Sequence, residues 1–429
     1  MPAPAGDTIF ALSSGAPPAA IAIVRLSGPL AAMALREIVA KLPEPRRATH
    51  AALHDGEGGL IDRALLLWMP GPASATGEDL AEFHLHGGRA VVAALLDRLA
   101  AFPGLRLAAP GEFTRRAFLN GRIDLTAAEG LADLLEAETA GQHARALRMA
   151  EGGLGRIIER WRAALLDLSA RIEAAIEFGE ADEEVGTDLS IAAPLTALAD
   201  EARAILAAPP AERLRDGVRI VAAGPPNSGK STLINAIAGR DVALATPIAG
   251  TTRDVIEAPV RLDGHAILLT DTAGLREAEE HIEQLGIARA QDAIEMADLL
   301  LWCGAPEESP APERSLFLHT RADERDDIMP PGSLRVSIHE PDSLLALRSR
   351  INERCRQLVG RDDELALNRR QRDLVSLFAA ELDAARTNGD PVLQAEHLRL
   401  CRDALDRLTG RAGVEEMLDS LFGRFCLGK

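Results

Sequence analysis

The chain has 429 residues, of which 47% are hydrophobic and 26% charged, and it carries a formal net charge of −18. That length calls for roughly two or three domains rather than one core, and the acidic balance excludes a protein that grips nucleic acid through a broad basic surface of its own. No apolar run approaches the roughly 20 residues of a bilayer span, the start lacks the basic-then-apolar pattern of an export signal, and Cys303, Cys355, Cys401 and Cys426 show no metal-type spacing; reduced thiols in a cytoplasmic protein are expected.

From 1 to 118, short β-like runs at 19–26 and 64–69 alternate with helical stretches such as 90–101, which predicts an α+β domain. Arg106, Arg115, Arg116 and Arg122 are candidates for a local basic patch near its end. From 119 to 213 the pattern is helical. Ile158, Trp161, Leu165, Leu168, Ile172 and Ile176 recur at spacings of three and four and make one apolar stripe, read as core or dimer packing. The acidic segment 180–188 ends that helix, and Ala208-Pro209-Pro210 marks a hinge. From 214 to 362, strands at 218–223, 266–270, 298–302, 316–319 and 334–337 alternate with helices, as in a doubly wound, mainly parallel sheet. Residues 363–429 are helical again. The predicted architecture is multidomain α/β plus α, with the 214–362 domain inserted between two parts of a discontinuous helical domain.

Gly224-Pro-Pro-Asn-Ser-Gly-Lys-Ser231 is a complete G-x-x-x-x-G-K-[ST] phosphate loop between the first of those strands and a helix. Backbone N–H groups and the helix dipole make such a loop a polyphosphate site. Asn227, Ser228, Gly229, Lys230, Ser231 and Thr232 are the expected contacts, Lys230 reaching the β- and γ-phosphates and Ser231 holding Mg²⁺. Asp271-Thr272-Ala273-Gly274 follows the next strand, where the Asp can hold the Mg²⁺ hydration shell and the Gly can meet a γ-phosphate. Gly250-Thr251-Thr252-Arg253-Asp254 lies between, in place for a threonine that joins the Mg²⁺ shell only with the γ-phosphate present. These motifs in this order predict a Ras-like P-loop GTPase domain. Thr320-Arg321-Ala322-Asp323 stands where such domains carry Asn-Lys-x-Asp. Asp323 keeps the guanine-reading carboxylate, Ser337 lies at the next strand end, and the shorter Thr is expected to lose contacts while guanine stays preferred. Leu275 occupies the place of a water-orienting Gln, so another group must position the nucleophile.

The chain resembles the MnmE (TrmE) family of tRNA modification GTPases over essentially its full length. The residues that carry the likeness are Asp7-Thr-Ile9, Arg25-Leu-Ser-Gly28, Thr76-Gly-Glu-Asp79, His84-Leu-His-Gly-Gly88, the block 110–125, Pro226 and Asn227 in the phosphate loop, Ile248-Ala-Gly-Thr-Thr-Arg-Asp254, and the terminal Phe425-Cys-Leu-Gly-Lys429. The resemblance implies a homodimer that works with the FAD protein MnmG, in a heterotetramer, to install a carboxymethylaminomethyl-type group at carbon 5 of the tRNA wobble uridine. It also implies that 1–118 is a dimerisation domain holding 5-formyl- or 5,10-methylene-tetrahydrofolate, with contacts on Arg25, Glu82, Arg122 and Lys429. Arg122 stands where the family often has Lys, and Ala75 where Tyr is common. Hydrolysis is implied to need K⁺ on Asn227, Thr246, Ile248 and Thr251, Mg²⁺ on Ser231 and Thr252, and G-domain dimerisation. Gly250 would belong to the same nucleotide loop. Glu283 would orient water, with Lys230 and Thr252 completing the catalytic set, and tRNA would be held mainly by the partner.

His84 and His86 share one face of a strand, but without a third ligand zinc is the weaker reading. Cys426 reads as structure or docking ahead of chemistry. The rival readings are a ribosome-assembly or translational GTPase, a folate-dependent transferase that the GTPase only regulates, and a nucleotide-gated scaffold.

Overall fold

The computed structural model describes residues 6–178, 191–238, 257–272, 283–324, 328–361, 364–412, 415–423, 425 and 428. They form two compact units, one from Met1–Ala132, Met149–Ala163 and Leu405–Lys429, the other from Asp133–Arg148 and Ala164–Ala404. Among the described residues no helix is long and apolar enough to cross a membrane.

The first unit is built on β1 (Thr8–Leu12), β2 (Ile21–Ser27), β3 (Thr49–His54), β4 (Leu60–Met69), β5 (Leu80–His86) and β6 (Leu105–Leu107), in the sheet order β3-β4-β5-β2-β1-β6. Neighbours are antiparallel except β1 with β6. Alternation decides its faces. Ala22, Val24 and Leu26 of β2 and Ala81, Phe83 and Leu85 of β5 point into the core, where the helices Ala31–Ile38 and Arg89–Ala100 cover them with Ala34, Leu35, Ile38, Val92, Leu95 and Leu99. The other face carries Arg25, Glu82, His84 and His86, beside the exposed Ile21 and Leu65.

A second cluster in this unit joins distant parts of the chain. Leu125, Ala128 and Ala132 pack with Leu418, Leu421, Phe422 and Phe425, and the Phe118 and Phe422 rings lie 6.4 Å apart. Gly111 is obligatory here. Its φ is +68°, and a Cβ would sit 2.3 Å from the Phe422 carbonyl oxygen. The tail then reaches β1, where the Ser13 hydroxyl donates to the Gly428 carbonyl at 2.7 Å.

The second unit holds β7 (Val218–Ala223), β8 (Glu257–Leu262), β9 (His265–Asp271), β10 (Leu299–Trp302), β11 (Ser315–Thr320) and β12 (Leu334–Val336), ordered β12-β11-β10-β7-β9-β8. All neighbours are parallel except β8 with β9. Both faces are covered, which is why the central strands read as mainly apolar runs rather than alternating ones: Ile220, Ala222, Leu299 and Leu301 face one cluster, Val221, Ala223, Leu300 and Trp302 the other. The chain leaves β7 toward β9 on one side and returns at β10 on the other. The loop after β7 therefore opens at the topological switch point. β8 has no counterpart among the strands expected from sequence. It is an edge strand that accommodates Pro259, turned into β9 by Asp263-Gly264 with φ of +46° and +90°.

In the same unit the helix Arg369–Thr387 starts with a reciprocal capping box between Asn368 and Gln371. Its Arg372 donates to the carbonyls of Leu206 (2.7 Å) and Ala208 (2.8 Å), at the end of the helix Ala192–Leu206. Helical stretches before and after the sheet segment thus pack together. In the long helix Gly153–Phe178 the apolar stripe is buried from Ile158 to Ile172, whereas Ile176, near the helix end, is 39% exposed.

Candidate functional site

The phosphate loop joins β7 to the helix Lys230–Ala238. Two positions need glycine: Gly224 (φ +145°), whose Cβ would lie 2.9 Å from the Cys303 backbone, and Gly229 (φ +86°). Asn227 holds a left-handed φ of +60°. The buried Lys230 folds back along the loop, its Nζ donating to the carbonyls of Gly224 (3.2 Å) and Pro225 (2.7 Å). Ser231 and Thr232 are exposed at the start of the helix. Ala222 pairs with Asp271, which places that carboxylate at the sheet edge from which the loop springs, and the Thr272 hydroxyl donates to the Ala222 carbonyl at 2.9 Å. The donor set suits a divalent cation beside bound phosphates: a hydroxyl, Ser231, at a helix N-terminus, and a carboxylate at a strand end.

Beside the loop opens a cleft of about 140 Å³ lined by Gly229, Thr320, Arg321, Asp323, Val336 and His339 among others. A hydrogen bond from the Ser337 hydroxyl holds the Asp323 carboxyl below the usual carboxylate range, with His339 and Arg335 adding positive field. Arg321 (φ +55°) makes the turn that presents Asp323, and the Ala322 N–H is tied to the Val336 carbonyl at 3.3 Å. The Thr320 hydroxyl donates to the Ser228 carbonyl at 2.5 Å.

Thr246, Ile248, Gly250, Thr251, Thr252, Ala273, Gly274, Leu275, Cys426 and Lys429 lie outside the described residues. Glu283 is the first residue of the helix Glu283–Met296.

On the outer face of the first sheet, Arg25 and Glu82 stand opposite each other on β2 and β5 and pair at 2.7 Å. His84 Nε2 lies 3.4 Å from the other Glu82 oxygen. His86 meets Asp62 at 2.8 Å. Burial would raise the Asp62 carboxyl, but hydrogen bonds from the His86 ring and backbone outweigh it and hold it low. Each histidine therefore faces a carboxylate, and no cluster that could hold a metal ion forms among the described residues. Two residues along β2 from Arg25, Ser27 bonds Thr76 and Glu78, both at 2.8 Å. The same loop takes a hydrogen bond from Asn120 to the Thr76 carbonyl (2.8 Å), and the Arg122 side chain lies 3.3 Å from where a Gly77 Cβ would be. Arg25 and Arg122 are thus brought to one neighbourhood.

Under that loop lies an ionic network not expected from sequence. Arg116 reaches Asp7 (2.6 Å), Glu112 (3.1 Å) and Glu78 (3.2 Å), and Arg106 reaches Asp7 (2.6 Å) and Glu112 (2.5 Å). Burial would raise the Glu112 carboxyl, but hydrogen bonds from Arg106, the Ala109 N–H and Arg116 hold it below the usual carboxylate range. Arg115 meets Asp419 at 3.0 Å. Of the four arginines expected to form a basic patch, Arg106, Arg115 and Arg116 are each set against a carboxylate, and Arg122 lies instead beside Gly77.

A phosphate loop at the switch point of a parallel sheet, with a carboxylate-bearing cleft beside it, defines a P-loop nucleotide-binding protein. Known proteins then narrow the class. The model of the GTP-binding protein TrmE N-terminus matches residues 8–122, and that of the MnmE helical domain matches 125–426. The tRNA modification GTPase MnmE of Rhizorhabdus wittichii is 53% identical over 100% of this chain and 98% of its own. Those of Sphingopyxis alaskensis (51%, 95% of this chain and 100% of that one) and Zymomonas mobilis subsp. mobilis (49%, 98% and 100%) are similar. Among solved structures, the G domain of the T. maritima FeoB iron transporter gives a TM-score of 0.24 at 23% identity, over 32% of this chain and 98% of that one. The chain belongs to the MnmE (TrmE) family of tRNA modification GTPases, and it is a GTP-hydrolysing enzyme.

Proposed function

We propose that this chain is the GTP-hydrolysing subunit of a cytoplasmic complex that modifies the tRNA wobble uridine at carbon 5, with MnmG as its FAD-bearing partner and a tetrahydrofolate as one-carbon source. The observation that carries the reading is the end-to-end match, 53% identical over the whole chain, to a relative named as a tRNA modification GTPase. In domain terms, 1–118 is the folate-binding and dimerising part, 214–362 the GTPase, and 119–213 with 363–429 one helical domain. The contact of Arg372 with the end of the helix Ala192–Leu206 supports that last pairing.

In the GTPase, the loop N–H groups and Lys230 bind the β- and γ-phosphates, and Asp323 reads the base. Mg²⁺ would be held by Ser231 and Thr252, and K⁺ by Asn227, Thr246, Ile248 and Thr251. These cations supply the positive charge that steadies a γ-phosphate in transfer. Glu283 orients water, a task Leu275 lacks the polar atoms to perform. Closing two G domains together completes the site. In the N-terminal unit, the Arg25–Glu82 pair and Arg122 offer a cation, a carboxylate and a second cation in one neighbourhood. That set suits a pterin with a glutamate tail, and Lys429 would add a further cation.

The test is mass spectrometry of tRNA nucleosides from a strain lacking this gene, with and without the gene restored. Loss of the C5-modified wobble uridine, and its return, is expected. An unchanged nucleoside profile refutes the proposal and favours a ribosome-assembly or scaffold role.

A further inference from the structure

Thr320 replaces the Asn of the guanine-reading tetrapeptide, and a residue-by-residue reading scores the change as a loss. The geometry assigns it a task. Thr320 ends β11, is 4% exposed, and its hydroxyl donates to the Ser228 carbonyl of the phosphate loop at 2.5 Å. A trans peptide is planar, with its C=O and N–H pointing in opposite directions. Fixing the Ser228 carbonyl toward Thr320 therefore turns the Gly229 N–H the other way, into the bowl of the loop. Gly229 is free to follow because its φ of +86° costs glycine little. Its own carbonyl starts the next helix by accepting from the Leu233 N–H at 2.9 Å. The neighbouring Arg321 adds a longer bond, 3.4 Å, to the Asn227 carbonyl.

We propose that Thr320 is a positioning residue for the phosphate loop: its hydroxyl aims the Gly229 amide at the bound phosphates and leaves base selection to Asp323 and Ser337. This rests on the phosphate loop and the 320–323 turn being the GTP site. The consequence is specific. Loss of the hydroxyl weakens every nucleotide that carries a β-phosphate and does not change the preference for guanine over adenine.

Fluorescence titration of the full chain with labelled GTP and GDP, with unlabelled ATP as competitor, tests it on Thr320→Val and Thr320→Ser. Valine keeps the shape and removes the donor, so GTP and GDP affinity should fall together by about tenfold, the worth of one buried neutral hydrogen bond. The GTP-to-ATP ratio should hold, GDP release should quicken by a similar factor, and serine should restore all three. Unchanged affinity in Thr320→Val overturns the proposal, even if the melting temperature drops, because the bond would then be structural only. So does a loss confined to the guanine preference, or a serine variant as weak as valine, which would put the effect in the methyl group. A wild-type chain that fails to bind GTP would instead sink the reading of the site itself.

Discussion

Replacing Arg116 by Met removes a buried guanidinium and keeps much of its length. Asp7 and Glu112 would then keep Arg106 alone and Glu78 would lose its ion pair, since Arg116 now contacts all three of those carboxylates. Breaking a buried ion pair by deleting one partner costs about 3–5 kcal/mol, because a charge is left uncompensated. The lower end applies here. The Glu78 side chain is 25% exposed and can be hydrated, and Arg116 Nε is already buried with no hydrogen-bond partner among the described residues. About 3 kcal/mol in a unit of this size lowers the melting temperature by about 6–12 °C. The sign with pH follows from Glu112. Its carboxyl is depressed in the folded state, so the stability it contributes is full above its unfolded value, about 4.3, and is lost as pH falls through the folded one. Arg116→Met weakens that depression, so its penalty should be complete at pH 7 and shrink below about pH 4.5 as the stranded charge is neutralised. Trp68 and Trp161 lie in this unit and Trp302 in the other. Fluorescence melts of a Trp302→Phe background therefore report the relevant unfolding. A penalty under about 1 kcal/mol, or one constant from pH 7 to pH 4, would refute the view that charge compensation holds the 76–78 loop in place.

Glu283→Ala should leave GTP affinity near that of the wild type and slow hydrolysis by about a hundredfold or more in K⁺ buffer; unchanged turnover rejects Glu283 as the water-orienting group. Burial pushes the Cys355 and Cys401 thiols up to about 12, and Cys303 is buried too. A Cys426→Ser chain at pH 8 should accordingly show no thiol that reacts with a disulfide reagent within minutes, and all three should react at once in denaturant. A fast native thiol would show that one of these cores opens. Gly111→Ala should destabilise the first unit by about 2 kcal/mol or more, from the left-handed backbone together with the clash on Phe422; a melting temperature within a degree of wild type would disprove the close approach.

How far these features were legible in sequence depended on how local their causes are. The central strands β7 and β10 announce themselves because burial on both faces leaves the apolar runs Ile220–Ala223 and Leu299–Trp302. β8 escaped because an edge strand tolerates Pro259, and only the Asp263-Gly264 dipeptide hinted at its hairpin. The phosphate loop and Asp323 are carried by contiguous residues whose backbone conformations follow from their glycines and turn. The ionic network is the opposite case. Arg116 and Asp7 are separated by 109 positions, so in sequence Arg106, Arg115, Arg116 and Arg122 read as a local basic patch, whereas the fold sets the first three against carboxylates.

Thr320 carries the same lesson into the site. A family pattern compares residue types at matched positions, and by that measure Thr for Asn is a deficit. A hydrogen bond, however, belongs to a donor and an acceptor in space, and the acceptor here is a backbone carbonyl, that of Ser228, which has no residue type to compare. Its donor is supplied from 92 positions away by a hydroxyl held within a buried strand end. Contacts of this kind persist through substitution whenever the new side chain brings a donor to the same point. Thr in place of Asn should therefore leave phosphate binding intact, and any cost should fall on the base, where the missing amide would have reached.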